Sequence, residues 1–349
     1  MPFTKFTNLD FDQIKESIKS YLRANSEFTG FDFEGSNFSV LIDTLAYNTY
    51  ITAINSNMVI NESFLDSATV RENVVSLARN VGYVPRSRTA AKASVNFPIT
   101  TDLSSDKDTQ TIYLKAGLVC TGAQSNSTYS FSIPDDIEAS LVSNVANFGT
   151  SVNPITVYQG TYLSKEFIVD GSIDQRFILD NSYIDTSTIV VYINTPISSG
   201  VYRTGKGVLY NKVDNILNID KNSEIYLIQE VQDERYELLF GDGIFGKKLE
   251  NEAKVTVQYI ITDGKEGDGP SNFTFSGSIE DANNNSISPT SAPSVNTVSR
   301  ASNGGDIESL DSIKYYAPRL YSAQYRAVTS RDYETIIQQI YPNTESVSV

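Results

Sequence analysis

The hydrophobic periodicity of the chain changes near residue 93, and this change constrains the fold more than any other feature. Up to about residue 92, apolar residues recur every three or four positions, as on one face of an α-helix. From there to about Thr274 they alternate with polar residues, and Asn, Asp, Ser and Gly separate the runs. A helical period returns after residue 305. The sequence therefore predicts an α+β fold with an N-terminal helical segment, a β-rich middle domain and a C-terminal α/β piece.

The N-terminal segment contains three amphipathic runs. The first follows the capping-box pair Asp10 and Gln13, and the third follows Thr69 and Glu72 and ends at Gly82, a residue suited to a helix C-terminus. Burying such stripes yields about 25 cal/mol per Å² of apolar surface. They could cover the β region of the same chain, but helices ahead of a separate β domain are well placed to pack against other chains. The residues expected at such an interface are Phe38, Leu41, Leu45, Val70, Val74, Leu77 and Val81.

Four segments follow from these patterns. A helical partner-bundling segment spans 1–92, and a mostly antiparallel β-rich domain spans 93–263. Residues 264–305, dense in Gly, Ser, Asn and Pro, are expected to be an extended connector. Residues 306–349 begin a C-terminal α/β domain, with one helix running to Pro318 and another starting at the N-cap pair Thr329 and Asp332. Because residues 346–349 resemble a strand, we expect the native chain to continue beyond them.

Composition argues against several functional classes. With 27 basic and 42 acidic residues the net charge is −15, which repels the phosphate backbone of nucleic acids. The sequence has no histidine, so mechanisms that need a His base or a His metal ligand are excluded. Cys120 is the one cysteine and lacks a histidine to activate it, so a buried apolar role is expected. No cofactor, metal site or catalytic residue is predicted.

Two sequence features resemble functional motifs: a glycine-rich loop and pairs of carboxylates. Residues 241–247 satisfy both G-x-x-x-x-G-K and G-x-G-x-x-G, which bind phosphates only when a helix follows the loop. Here a strand is expected near Ala253, so the glycines are interpreted as turn residues between strands. Paired carboxylates such as Asp135 and Asp136 could serve glycoside hydrolysis or Ca²⁺ binding, but solvated loop charge is the favoured interpretation.

Three stretches, taken in order along the chain, resemble the baseplate J-like family, in the form of the inner baseplate wedge subunit of contractile-tailed bacteriophages. The first runs from Phe38 through the Asn61-Glu62-Ser63-Phe64-Leu65 segment to Pro85. The second is the Phe240–Gly246 loop. The third comprises 304–309, Tyr316-Ala317-Pro318-Arg319 and 326–334 with its Arg-Ala-Val-Thr and Asp-Tyr-Glu sequences. Together they extend over most of the chain.

The resemblance implies a structural protein of the virion tail baseplate, made and assembled in the host cytoplasm, with no catalytic residues. It implies a helical bundle with a second copy and another wedge subunit, and contacts with neighbouring wedges and with hub or sheath-initiating proteins. Such a ring around the hub rearranges when the tail contracts. No nucleic acid partner is implied, and no membrane in the resting state. A receptor- or carbohydrate-binding tail protein is the alternative, which the 21 tyrosines permit, and a two-carboxylate glycosidase is a more remote one.

Overall fold

The computed structural model describes residues 10–24, 32–33, 35, 37–102, 111–124, 127–172, 174–213, 219–324, 326–341, 344 and 347–348. The chain forms two compact units, each made of two separate stretches. The helical unit comprises Met1–Tyr83 and Ser309–Ile336, and the sheet unit comprises Val84–Glu308 and Ile337–Val349. The α+β class with helices at both ends of a β-rich middle is confirmed.

Five α-helices are described. They are α1 (Phe11–Arg23), α2 (Phe38–Glu62), α3 (Arg71–Asn80), α4 (Leu310–Ala323) and α5 (Ser330–Ile340). In the helical unit, α3 packs its buried face against α4 although the two helices lie at opposite ends of the chain. Val74 and Ala78 of α3 share one core with Ile313, Ala317 and Leu320 of α4. This core holds α3 and α4 together within the helical unit.

Local signals set the helix ends in some places and fail in others. α3 ends in a Schellman motif, in which Gly82 adopts a φ of 80° and the Tyr83 amide donates to the Ala78 carbonyl at 3.0 Å. At α5 the expected pair forms, since the Thr329 amide donates to Asp332 Oδ2 at 2.8 Å. The expected box at Asp10 does not form, because that side chain makes no capping hydrogen bond.

The expected helix end at Pro318 is wrong. α4 continues through Pro318 to Ala323, where Gln324 adopts a left-handed conformation. Leu320 and Ala323 are buried beyond the proline. Their burial offsets the backbone hydrogen bond that proline cannot donate. Tertiary packing therefore overrides the local signal.

The sheet unit holds two mainly antiparallel sheets. The first has the order β17-β3-β4-β7-β1-β6-β5-β2-β18-β19, with β20 also pairing with β1, and the second has the order β8-β16-β10-β13-β14-β15-β9. The pair β13–β14 is parallel. A small hairpin joins β11 to β12. The strands are β1 (Lys92–Thr100), β2 (Thr111–Leu114), β3 (Gly117–Gln124), β4 (Ser127–Ile133), β5 (Ile137–Val142), β6 (Val145–Phe148), β7 (Ile155–Gln159), β8 (Thr161–Ile168), β9 (Phe177–Leu179), β10 (Val190–Asn194), β11 (Pro196–Ser198), β12 (Val201–Tyr202), β13 (Val208–Lys212), β14 (Ile225–Glu230), β15 (Tyr236–Phe240), β16 (Lys254–Ile261), β17 (Phe273–Phe275), β18 (Ile279–Asp281), β19 (Ser286–Ile287) and β20 (Asn296–Ser302).

Residues 264–305 are part of the first sheet, which corrects the expected connector. The segment contributes β17 to β20, and β20 pairs with β1. Its few aromatic residues lie in the core: the Phe273 ring meets Phe131 with centroids 4.9 Å apart, and Phe275 meets Phe97 at 5.1 Å. Two well-placed rings and backbone pairing thus replace the apolar run that a strand pattern normally shows. The strand expected at 346–349 lies partly outside the described residues, and Val347 and Ser348 are not in a strand.

Candidate assembly interface

α2 is the longest helix described, with 25 residues and a length of about 37 Å. One of its faces lies inside the helical unit. There α1 packs across it, with the Phe11 and Tyr50 rings 6.4 Å apart and Lys15 Nζ 2.5 Å from Asp43 Oδ1. The residues that α2 buries on this face are Ile42, Ala46, Ala53, Asn57 and Asn61. Its other faces are open to solvent.

A second stripe of α2 follows the a and d positions of a heptad repeat. We call it the α2 seam, and it consists of Val40, Thr44, Tyr47, Ile51, Ile54 and Met58. The exposed fractions of Val40, Tyr47, Ile54 and Met58 are 69%, 60%, 43% and 50%. Spacings that alternate between three and four residues favour packing against another helix of matching period. The seam therefore has the pattern of a helix–helix contact without burial in this chain.

The exposed surface of α2 is less polar than its sequence indicates. The Thr44 hydroxyl donates to the Val40 carbonyl at 2.8 Å, so the threonine in the seam presents its methyl group. Thr49, Thr52 and Ser56 make the same bond to the carbonyl four residues earlier. The described helices include none with the length and hydropathy of a membrane span.

α2 also carries few charges. Asp43 and Glu62 are its two charged residues, and Asp43 is paired with Lys15 of α1. In a chain with a net charge of −15, such a surface can approach a second copy without strong repulsion. Apolar character and neutrality together distinguish α2 from an ordinary solvated helix.

Glu62, the last residue of α2, caps α3. Its carboxylate accepts hydrogen bonds from the Thr69 amide at 2.8 Å, the Val70 amide at 3.2 Å and the Asn73 side chain at 2.8 Å. Burial acts to raise the pKa of Glu62, but these bonds outweigh it and lower the pKa to about 2. The three-residue spacing of Thr69 and Glu72 predicts Glu72 in this role. The cap instead comes from the preceding helix and fixes the α2–α3 turn.

Replacing Glu62 by Gln should weaken the helical unit by about 1–2 kcal/mol at neutral pH, after allowance for its partial exposure. The carboxyl is harder to protonate in the folded state, so its contribution is complete above about pH 4.5 and is lost as the pH falls toward about 2. Denaturant unfolding of the parent chain and of Glu62→Gln at pH 7 and pH 3 measures this difference in free energy of unfolding. Glu72→Gln, at an exposed position in the first turn of α3, is the matched control and should have a smaller effect. Equal stability of Glu62→Gln and the parent at pH 7 would contradict the assignment.

The seven residues expected at an interface fall into two groups: four keep some exposure to solvent, and three pack inside the helical unit. Leu41 and Leu45 are exposed by 49% and 48%, and Val70 by 37%. Phe38 is half-buried beside Phe33, with centroids 6.2 Å apart. For these four the interface role stays a prediction.

The other three residues, Val74, Leu77 and Val81, pack inside the helical unit. Val74 is fully buried, and Leu77 and Val81 pack against the core that α3 forms with α4. Ile313 and its neighbours on α4 cover this apolar stripe, so Val74 is not available to a partner chain. The expectation for Val74 is therefore corrected. The seam positions Val40 and Tyr47 were missed, although the heptad spacing could have revealed them.

The side chains of the other candidate sites are paired or buried. Asp135 and Asp136 are not solvated loop charges: Lys206 pairs with both, Lys115 Nζ lies 2.9 Å from Asp136 Oδ2, and Tyr192 donates to Asp135. Cys120 is buried, as expected, and burial raises its pKa to about 12. Within the described residues, no group of three acidic or Cys side chains is arranged to hold a metal ion.

The loop with the glycine motifs lies between strands, as predicted. It follows β15 and precedes β16, so no helix N-terminus is available to a phosphate. Gly243 and Gly246 have φ values of 92° and 83°, which glycine adopts without strain. The interpretation as a turn is confirmed.

Residues 10–83 match the family described as "Baseplate wedge protein gp6-like, helical domain". The matched range contains α1, α2 and α3, including the α2 seam. The sequence is also 26% identical over 352 residues to Baseplate wedge protein gp6 of Enterobacteria phage T4, an alignment that covers 96% of this chain and 50% of that protein.

A chain in the cryo-EM structure of the anti-feeding prophage baseplate aligns with 98% of this chain and 61% of its own length, at 13% identity and a TM-score of 0.31. A likeness that low carries no argument about fold or function. The sequence match is stronger, although the chain spans about half the length of the curated relative. Along nearly all of its own residues, the chain is thus similar to a baseplate wedge protein.

Proposed function

We propose that the chain is a structural component of the baseplate wedge of a contractile phage tail, contributing to an inner ring around the hub that rearranges when the tail contracts. The observation that carries this proposal is the α2 seam, an exposed and uncharged heptad stripe inside the residues that match a wedge-protein helical domain. The curated relative bears the name of a baseplate wedge protein. A protein of this kind acts through assembly and has no catalytic step.

The partners we propose are a second copy of the chain and another wedge subunit, joined in a helical bundle. This is supported by the distribution of side chains around α2. The buried stripe, the α2 seam and the short stripe of Leu41 and Leu45 lie about 120° apart around the helix axis. A helix with three apolar sides fits a bundle in which α1 covers one side and two helices from other chains cover the rest.

The finer family assignment belongs to the same proposal. The baseplate J-like resemblance fits the order of elements, with a β-rich unit between N-terminal and C-terminal helices. We propose further contacts with neighbouring wedges and with hub or sheath-initiating proteins, and assembly in the host cytoplasm before incorporation into the virion. Helical bundles that exchange one packing for another can accommodate the rearrangement on contraction.

Imaging of tagged particles tests this function. A small tag at Val152, an exposed loop residue of the sheet unit, should appear as a ring at the baseplate end of purified tails. Tails from untagged particles are the control for background labelling. Labelling along the tail tube, at fibre tips, or absent from intact tails would contradict the proposal.

A further inference from the structure

The second sheet is built from one continuous stretch that interrupts the first sheet. Its strands all lie between Thr161 and Ile261, whereas the first sheet takes β1 to β7 from before this stretch and β17 to β20 from after it. The buried residues of the two sheets form separate cores, with Val157 in the first and Tyr259 in the second. The second sheet is therefore an insertion with its own core, and the chain crosses between the sheets twice.

Both crossings lie at the same end of the second sheet. Thr161 opposes Ile261 in the β8–β16 register, so the chain enters and leaves the sheet at neighbouring positions. Beside them Gln159 is buried, accepts from the Thr262 hydroxyl at 2.7 Å and donates to Asp263 Oδ2 at 2.7 Å. We call this end of the second sheet the anchored end.

Asp185 adds a further buried contact at the anchored end. Its amide donates to the Ile260 carbonyl at 3.1 Å, which places it beside the crossings. Its buried carboxylate accepts from the Ala90 amide, just before β1, at 2.8 Å. Because buried polar groups are screened little by salt, the anchored end keeps its hydrogen bonds at high ionic strength.

A loop of the second sheet reaches the first sheet at another place. We call this loop, residues 203–207 between β12 and β13, the strap. Lys206 of the strap forms an ion pair with Asp135, and its Nζ lies 3.0 Å from Asp136 Oδ2; both aspartates belong to the β4–β5 turn of the first sheet. Tyr192 of β10 also donates its hydroxyl to Asp135. The Lys206 and Asp135 side chains are each 36% exposed, so salt can screen this pair.

The first sheet holds the aspartates in place independently of the strap. Lys115 Nζ lies 2.9 Å from Asp136 Oδ2, and the Ala116 amide donates to Asp136 Oδ1 at 2.7 Å. Burial acts to raise the pKa of Asp136, but the hydrogen bonds from Lys115, Ala116 and Lys206 outweigh it and lower the pKa. The carboxylate that faces the strap is therefore ionised at neutral pH.

The strap is fixed at its base and adaptable at its tip. The Asn194 side chain of β10 donates to the Arg203 carbonyl at 2.9 Å and to the Gly205 carbonyl at 3.2 Å. Gly205 and Gly207 lie on either side of Lys206, with φ values of 112° and 93°. A backbone with glycine at both flanking positions changes conformation at low cost. The strap can thus release the first sheet without unfolding the strands beside it.

The strap lies far enough from the anchored end to respond to a small rotation. Tyr192 opposes Thr256 in the β10–β16 register, five residues before Ile261. At about 3.4 Å per residue, this places the strap contact roughly 17 Å from the anchored end. A rotation of about 15° about that end moves the contact by about 4–5 Å. That displacement exceeds the reach of an ion pair, about 4 Å.

We propose that the strap is a latch between the two sheets: while Lys206 is bound to Asp135 and Asp136 the sheets move as one body, and when these ion pairs break the second sheet swings about the anchored end. Domains joined through a polar contact move relative to each other unless something restrains them. Rising ionic strength opens the latch, because it screens the partly exposed ion pairs and leaves the anchored end intact. The latch works within one chain, so it does not depend on the association assigned to α2.

Distances between two spin labels in the full chain test the latch. The labels are attached to Val142→Cys in the first sheet and Ile244→Cys in the second, two exposed positions outside the strap. Cys120 is buried and its pKa is raised, so the introduced thiols react first. An excess of unlabelled chain restricts the measurement to distances within one molecule. At low salt the parent should show one distance, and Lys206→Met should add a second population that differs by about 5 Å or more.

Salt provides the readout that a merely structural lysine would not affect. Between about 50 mM and about 1 M salt, the parent should gain the second population, whereas Lys206→Met should change little. Tyr192→Phe removes only the hydroxyl bond to Asp135 and should give a smaller second population. It also keeps the test decisive if Lys206→Met fails to fold.

Lys221→Met is the matched control, because it removes a lysine from an exposed position of the second sheet outside the strap. It should retain the single distance of the parent. A second label pair, Val152→Cys with Ile244→Cys, covers the case in which the first pair lies along the rotation axis. If neither pair reports a second population in Lys206→Met or Tyr192→Phe, or if Lys221→Met gives the same change, the latch is overturned.

Discussion

Val74→Asp is expected to lower the free energy of unfolding of the helical unit by about 4 kcal/mol or more. Val74 is fully buried in the core that α3 forms with Ile313, Ala317 and Leu320 of α4. The substitution places a carboxylate among these side chains with no partner to accept its charge. Either the carboxyl binds a proton at considerable cost or α3 separates from α4. Hydrogen exchange of α3 and α4 amides, read by mass spectrometry, measures the loss of protection.

Ser76→Asp is the matched control for this prediction. Ser76 lies on the same helix at an exposed position, so the same charge stays in water and protection should hold. Amides of β16, in the sheet unit, serve as an internal reference. Retained protection of α3 in Val74→Asp would show that the α3–α4 core does not exist as described.

Val74 also shows what the amphipathic pattern of a sequence can predict and what it cannot. The stripe of Val70, Val74, Leu77 and Val81 correctly indicates a helix with one buried face, because periodicity depends on neighbours along the chain. It does not indicate what covers that face. The partner is α4, contributed by the far end of the chain, and no local pattern encodes that pairing. An intermolecular partner was expected where an intramolecular one exists.

Helix ends show the same division between local and distant causes. Thr329 and Asp332 cap α5 from three residues apart, and such a contact can be recognised in the sequence. Thr69 is instead held by Glu62 from the preceding helix, through both its amide and its hydroxyl. Pro318 is tolerated because Leu320 is buried beyond it. Long-range packing decides the cases in which the local signal fails.

Strands without an apolar run are the hardest elements to predict. The alternation in β16 is plain in the sequence, and Val255, Val257 and Tyr259 on its one face are buried. β20 is seven residues long, yet most of its side chains are exposed, and it joins the sheet through backbone pairing with β1. Backbone hydrogen bonds leave no compositional signature. That is why residues 264–305 have the composition of a connector and the structure of a sheet.

The α2 seam gives the prediction with the largest expected effect on assembly. Ile54→Asp should weaken association of the chain by roughly 100-fold to 1,000-fold, equivalent to about 3–4 kcal/mol. Ile54 lies at a d position near the middle of the seam, 43% exposed, between Ile51 and Met58. In the free chain an aspartate there stays in water, so the helical unit remains folded. In a bundle it would be desolvated against apolar side chains of another helix, and that cost falls on the complex alone.

Sedimentation equilibrium of the parent and the variant, with circular dichroism at 222 nm to confirm folding, measures this effect. Ser76→Asp is the matched control, because it adds the same charge at an exposed position of α3, outside α2. Its association should stay within about threefold of the parent, since an exposed charge costs little. If Ile54→Asp and Ser76→Asp weaken association equally, net charge and not the seam controls assembly. If neither does, the helix that meets a partner is not α2, and the proposed bundle loses its central member.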